Sequence, residues 1–135
     1  MNPLKLSALG VAAAFGLNAA ADPAGQLPPA ATKTGVTYAA DIKSMLDTSC
    51  VSCHSGDRPK ARLKLDSLED ILKGSRDGAV VITGNSAKSP LVLGPAHLTD
   101  DHDLWMPPKK AEGKNPPLTP DQIGLLRAWI DQGAK

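Results

Sequence analysis

The chain has few aromatic side chains. Its 135 residues include one Phe, one Tyr and two Trp, 3% of the total. Large flat rings normally supply much of a small core, so something else has to fill part of this interior. Cysteine is as scarce, with two residues, Cys50 and Cys53. Neither sign of charge predominates: 15 Lys and Arg stand against 14 Asp and Glu, a formal net charge of +1. That balance excludes the basic footprint a nucleic-acid binder needs. Long hydrophobic runs are missing too. The one apolar stretch, residues 6–17, falls short of the about 20 residues a transmembrane helix requires. No internal repeat is visible. The length fits one domain with a tail. An apolar fraction of 41% and a charged fraction of 21% fit a folded core rather than wholesale disorder.

What is present begins with an address. Lys5 precedes the apolar run, and Ala19-Ala20-Ala21 follows it as a small-residue cleavage site before Asp22. This three-part pattern predicts a secretory signal peptide over residues 1–21. Cleavage would remove Lys5 and Phe15, leaving a charge-neutral chain with Tyr38, Trp105 and Trp129 as its aromatics. Export, expected here to the periplasm, puts the two cysteines outside the reducing cytoplasm.

Residues 22–36 are rich in Ala, Pro and Gly and read as a flexible leader before a domain over 37–135. Tyr38, Ile42, Met45 and Leu46 recur at helical spacing, predicting a helix that ends near Thr48. Leu63-Lys64-Leu65 reads as a short extended piece. Asp66 and Glu69 have capping-box spacing for a second helix, with Leu68, Ile71 and Leu72 as its buried stripe and Gly74 as its stop. Val80-Val81-Ile82 is strand-like but has no evident partner strand. Ser89-Pro90 opens a short helix through Leu93. Residues 94–118 form a long loop with five prolines, a length that in a compact domain points to function. Thr119-Pro120-Asp121-Gln122 is the clearest helix start, with Ile123, Leu126, Trp129 and Ile130 on one face and Gly133 as the stop.

Cys50-Val51-Ser52-Cys53-His54 carries the chemistry. C-x-x-C-H is the spacing of covalent c-type haem attachment. Two thiols three residues apart can form thioethers to the two vinyl groups of one haem, and the adjoining His54 can bind its iron. A redox dithiol, a partial zinc site and a local disulfide are the competing readings. They are weaker, because no βαβ pattern and no second C-x-x-C accompany the motif, although His97 and His102, separated by four residues, leave a Cys₂His₂ site open. A second axial ligand would come from Met45, Met106, His97 or His102. Met45 lies on the packing face of the first helix and reads as core filler. His97 and His102 sit in a polar stretch and read as solvated loop residues. Met106 lies far enough along the chain to return on the opposite haem face, and Pro107-Pro108 stiffen it; it is the favoured ligand.

The ordered set of motifs resembles the planctomycete-type cytochrome c domain, within the monohaem class I-like cytochromes. The matching pieces are Cys50-Val51-Ser52-Cys53-His54, Leu63-Lys64-Leu65-Asp66-Ser67, Gly84 with Ser89 and Leu91, Met106-Pro107-Pro108, and the segment from Leu125 to Ala134. The resemblance implies an all-α haem cage with crossed N- and C-terminal helices, one covalent haem c, and His54 and Met106 as axial ligands. It also implies one-electron transfer rather than catalysis, between redox partner proteins and by a monomer, with peripheral contact to membrane-bound redox complexes. A haem-based sensor with a labile sixth ligand, or a haem-free C-x-x-C redox or metal protein, is the alternative. Trp105 is expected either against the haem or as a loop anchor. Arg62 and Lys64 are read as surface cations within reach of haem propionates, and Lys109, Lys110 and Lys114 as a basic cluster after the ligand loop.

Overall fold

Thr37 opens the first helical segment in the computed structural model, which describes residues 26–135. The expected signal peptide, residues 1–21, lies outside the described residues. Thr37 has extended backbone, and its hydroxyl accepts the Ala40 amide at 3.3 Å. A wide turn, Tyr38–Ile42, follows and runs into helix α1, Lys43–Ser49. Tyr38, Ile42, Met45 and Leu46 are buried, as their spacing predicts. Among the described residues there is no β-strand, and no helix is long and apolar enough to cross a membrane.

Two short α-helices follow α1, with an apolar stretch between them. Helix α2, Leu68–Lys73, starts one residue later than expected: Ser67, not Asp66, is its cap and accepts the Asp70 amide at 3.1 Å. The shift turns Leu72 outward, 47% exposed, and leaves Ile71 as the one buried residue of the helix. The helix stops at Gly74, at φ +84°. Val80-Val81-Ile82 has no partner strand; Val80 and Val81 are buried, and the Val80 carbonyl accepts the Leu91 amide at 2.9 Å. Helix α3, Pro90–Leu93, begins at Ser89. Ser89 stands at the cap position with extended backbone and Pro90 follows as the first helical residue, as expected; its buried hydroxyl donates to the Asn85 carbonyl at 2.9 Å and accepts the Ile82 amide at 2.9 Å.

Helix α4, Pro120–Asp131, has the expected capping box between Thr119 and Gln122. Ile123, Leu126, Trp129 and Ile130 are buried. Trp129 is fully enclosed and faces Tyr38, with ring centroids 6.4 Å apart. The first helical segment therefore meets the last residue: the Tyr38 amide donates to the Lys135 carbonyl at 2.7 Å, and the Trp129 indole donates to the same carbonyl at 2.9 Å. Asp131 ties α4 to the 86–88 turn, accepting the Ser86 amide and hydroxyl at 2.8 Å each. The result is an all-α fold whose first and last helical segments pack together, in keeping with a small cytochrome-like architecture.

Of the expected leader, residues 22–25 lie outside the described residues. Residues 26–36 form no regular element but lie along α4. The Ala31 amide donates to the Gly124 carbonyl at 2.9 Å, and the Gln132 side chain donates to the Lys33 carbonyl at 2.7 Å. Leu27 and Val36 are buried. Gly124 makes the approach feasible, since a Cβ there would lie 2.6 Å from the Pro29 carbonyl oxygen. Backbone hydrogen bonds and two apolar anchors hold a segment whose composition alone signals no structure.

Candidate functional site

Helix α1 delivers the two cysteines. Its last carbonyls turn inward: the Cys50 and Val51 amides both donate to Leu46, at 2.8 and 3.0 Å. The Cys50 carbonyl then accepts the Cys53 amide at 3.2 Å and the His54 amide at 3.1 Å. One tight turn thus carries Cys50, Cys53 and His54. Both cysteines are unpaired and half-buried. Burial pushes the Cys50 thiol up to about 11, and a charge on Cys53 would push it the same way. An activated dithiol has the opposite character, with a depressed thiol pKa.

His54 is 8% exposed. Its Nδ1 lies 3.3 Å from the Leu63 carbonyl, so this nitrogen carries the proton and donates, and Nε2 keeps its lone pair. A backbone carbonyl on one ring nitrogen is the usual way a metal-binding histidine is oriented through the other. Burial lowers the His54 pKa, partly offset by hydrogen bonding to the Leu63 and Lys60 backbone, which favours the neutral ring. The Leu65 amide donates back to His54 at 2.8 Å, and the Lys60 amide to Cys53 at 3.0 Å. Leu63-Lys64-Leu65 thus serves as the backing of the turn. The residues fit a haem: two thiols and one oriented imidazole on a single turn. Among the described residues, no three His, Cys, Asp or Glu side chains cluster as a metal-ion site.

Met106 is mounted separately, on the 94–118 loop. Its amide donates to the Gly94 carbonyl at 3.2 Å, just past α3. Gly94 has no room for a side chain, because a Cβ would lie 2.9 Å from the Leu104 carbonyl oxygen and 3.8 Å from Met106 Cγ. Trp105, beside Met106, packs against two imidazoles. The His97 ring stacks on it at 4.8 Å and 2°, and the His102 ring lies tilted at 4.0 Å. The Trp105 indole N–H donates to the Thr99 carbonyl at 3.2 Å. These contacts tie Trp105 into its own loop. His102 is exposed as expected, but His97 is not a solvated residue: stacking closes its Nε2 from water without a partner. Met45 is buried in the core, matching its reading as filler.

Arg62 and Lys64 line a cavity of about 390 Å³ with Asp57, Asp70 and Lys73. One residue of the site went unnoticed in the sequence. Asn115 is 6% exposed, and its Oδ1 accepts the Ser52 hydroxyl at 2.6 Å. Its Nδ2 lies 4.0 Å from Cys53 Sγ. No local signal marks Asn115, since it sits in a polar, proline-flanked stretch where a solvated side chain is the ordinary case.

Residues 50–110 match the family described as Planctomycete cytochrome C. This stretch is a planctomycete-type cytochrome c domain. The match starts at Cys50 and ends just past Met106-Pro107-Pro108. No curated protein and no solved structure matches the chain. A cytochrome c domain implies covalently bound haem c and is consistent with a haem-binding, electron-transfer role. Asn115 lies outside the matched stretch of the cytochrome domain.

Proposed function

We propose that the protein is an exported monohaem cytochrome that passes single electrons between redox partner proteins, with His54 and Met106 as axial ligands. The observation that carries this reading is the His54 ring, buried on the C-x-x-C turn with Nδ1 committed to the Leu63 carbonyl. Bound haem supplies an iron that alternates between the ferric and ferrous states. Cys50 and Cys53 would hold it as thioethers, each thiol having added its sulfur and hydrogen across one vinyl double bond. His54 offers a neutral imidazole whose orientation is fixed before any ligand arrives. Met106 offers a thioether from a loop braced by Gly94 and Trp105, which limits movement on electron transfer. A thioether ligand favours the ferrous state and raises the potential.

The signal-like start supports a periplasmic location, and the near-neutral charge supports brief contacts with partners, including membrane-bound redox complexes, by a monomer. A covalent-haem stain after denaturing electrophoresis, on protein from cells with haem-attachment machinery, tests the cofactor; an unstained band removes the reading. The ferric absorption spectrum tests the ligand. The weak long-wavelength methionine–iron band should be present in the wild type and absent in Met106→Ala. A wild type without it would point to the sensor alternative.

A further inference from the structure

The 109–118 loop reaches the haem-attaching turn at one point, and Asn115 makes the contact. Most of this loop is exposed, yet Asn115 is buried. Its amide from the backbone donates to the Ala111 carbonyl at 2.9 Å, which fixes the side chain's direction. The carboxamide then uses both ends. Oδ1 accepts from Ser52, between the two cysteines, at 2.6 Å, and Nδ2 points to the Cys53 sulfur at 4.0 Å. A buried amide with its acceptor and its donor each committed to the same turn is a costly arrangement to leave half-made.

We propose that Asn115 is a positioning residue that clasps the 109–118 loop over the Cys53 side of the haem and sets its electronic surroundings. The proposal rests on the haem reading above. Two effects act in the same direction. The N–H dipole aimed at the sulfur stabilises added electron density, and the clasped loop keeps water from the Cys53 attachment point, which disfavours the more highly charged ferric centre. Removing the side chain should therefore lower the reduction potential. It should also free the loop, which carries tryptic sites at Lys109 and Lys110.

The experiment compares holoprotein of the wild type, Asn115→Ala, Asn115→Asp and Ser52→Ala. It measures covalent-haem stain, potential by redox titration, and the rate of tryptic cleavage after Lys109 and Lys110. Asn115→Ala should keep the stain, lower the potential, and speed cleavage about three- to tenfold, the range one hydrogen bond supplies. Ser52→Ala should reproduce the faster cleavage. Asn115→Asp should keep slow cleavage, because a carboxylate still accepts the Ser52 hydroxyl, and should lower the potential because the donor is gone. Wild-type cleavage and wild-type potential in Asn115→Ala overturn the clasp, as does Asn115→Asp being cut as fast as Asn115→Ala. An unstained wild type would instead overturn the haem reading, and the cleavage rates would still decide whether Asn115 holds the loop.

Discussion

The turn that carries Cys50, Cys53 and His54 and the loop that carries Met106 reach order by different routes. His54 takes its ring partner from Leu63, nine residues on, and the turn folds on carbonyls supplied by Leu46 and Cys50. The Met106 loop takes its order from Gly94, from a stack of His97, Trp105 and His102, and from Asn115, which reaches Ser52 across 63 residues. The first is a local structure that one helix end can produce; the second exists only when several distant pieces are in place. Local contacts survive partial loosening of a fold, whereas assembled ones fail together. The two regions should therefore separate under mutation, with attachment persisting while methionine ligation is lost.

The largest separation is expected at Trp105. Trp105→Ala removes the ring that both histidines pack on and the indole bond to Thr99. A fully buried Trp to Ala change costs about 3–5 kcal/mol, and this half-buried one should cost about 2 kcal/mol. Thermal unfolding should shift down and the long-wavelength ferric band should weaken or vanish, while the covalent-haem stain stays at the wild-type level. Loss of the stain as well would mean the two regions are one cooperative unit. A smaller break is expected at Gly94. Its backbone is helical, at φ −60°, so alanine meets no conformational strain there. The penalty comes from the added Cβ, 2.9 Å from the Leu104 oxygen. Overpacking of this kind costs about 1–3 kcal/mol. Gly94→Ala should therefore shift the band and lower the melting temperature, and Gly94→Ser should do no better.

The same contrast explains what could be read before the structure. The C-x-x-C-H turn, α4 with its capping box, and the buried faces of α1 and α4 are local patterns, and each stands where its residues predict. The surprises fell where one particular contact, near or distant, decided. Ser67 displaced Asp66 as the cap of α2 because its hydroxyl reaches both the amide and the carboxylate of Asp70. Ser89 stands at the cap position of α3 as expected, although its hydroxyl serves the 82–85 backbone instead of the helix. The leader's composition gave no sign that Gly124 would admit its backbone. His97 lies in an acidic, polar stretch, yet a tryptophan eight positions on encloses it. Asn115 was invisible for the same reason, since a partner 63 residues away leaves no trace in local spacing.

The smallest expected effect lies on the α1 side and tests whether that side stands apart. Asp41 accepts the Thr37 amide at 3.0 Å and pairs with Lys33 of the leader. The Lys33 hydrogen bond, then the Thr37 backbone bond, hold its carboxyl below the ordinary value. A carboxylate whose folded pKa is depressed adds stability that is fully present above the unfolded pKa. That contribution is lost as pH falls through the lower folded value. Asp41→Asn should therefore destabilise the protein slightly at neutral pH and have little effect in acid below that window, so melting temperatures of the two proteins should converge as pH drops. Lys33 is well exposed, so the gap should be modest and should shrink with added salt. The methionine–iron band should not change at any pH in this range. A band that weakens in Asp41→Asn would mean that the leader and α1 brace the Met106 loop, and the division between a local and an assembled side of the site would have to be redrawn.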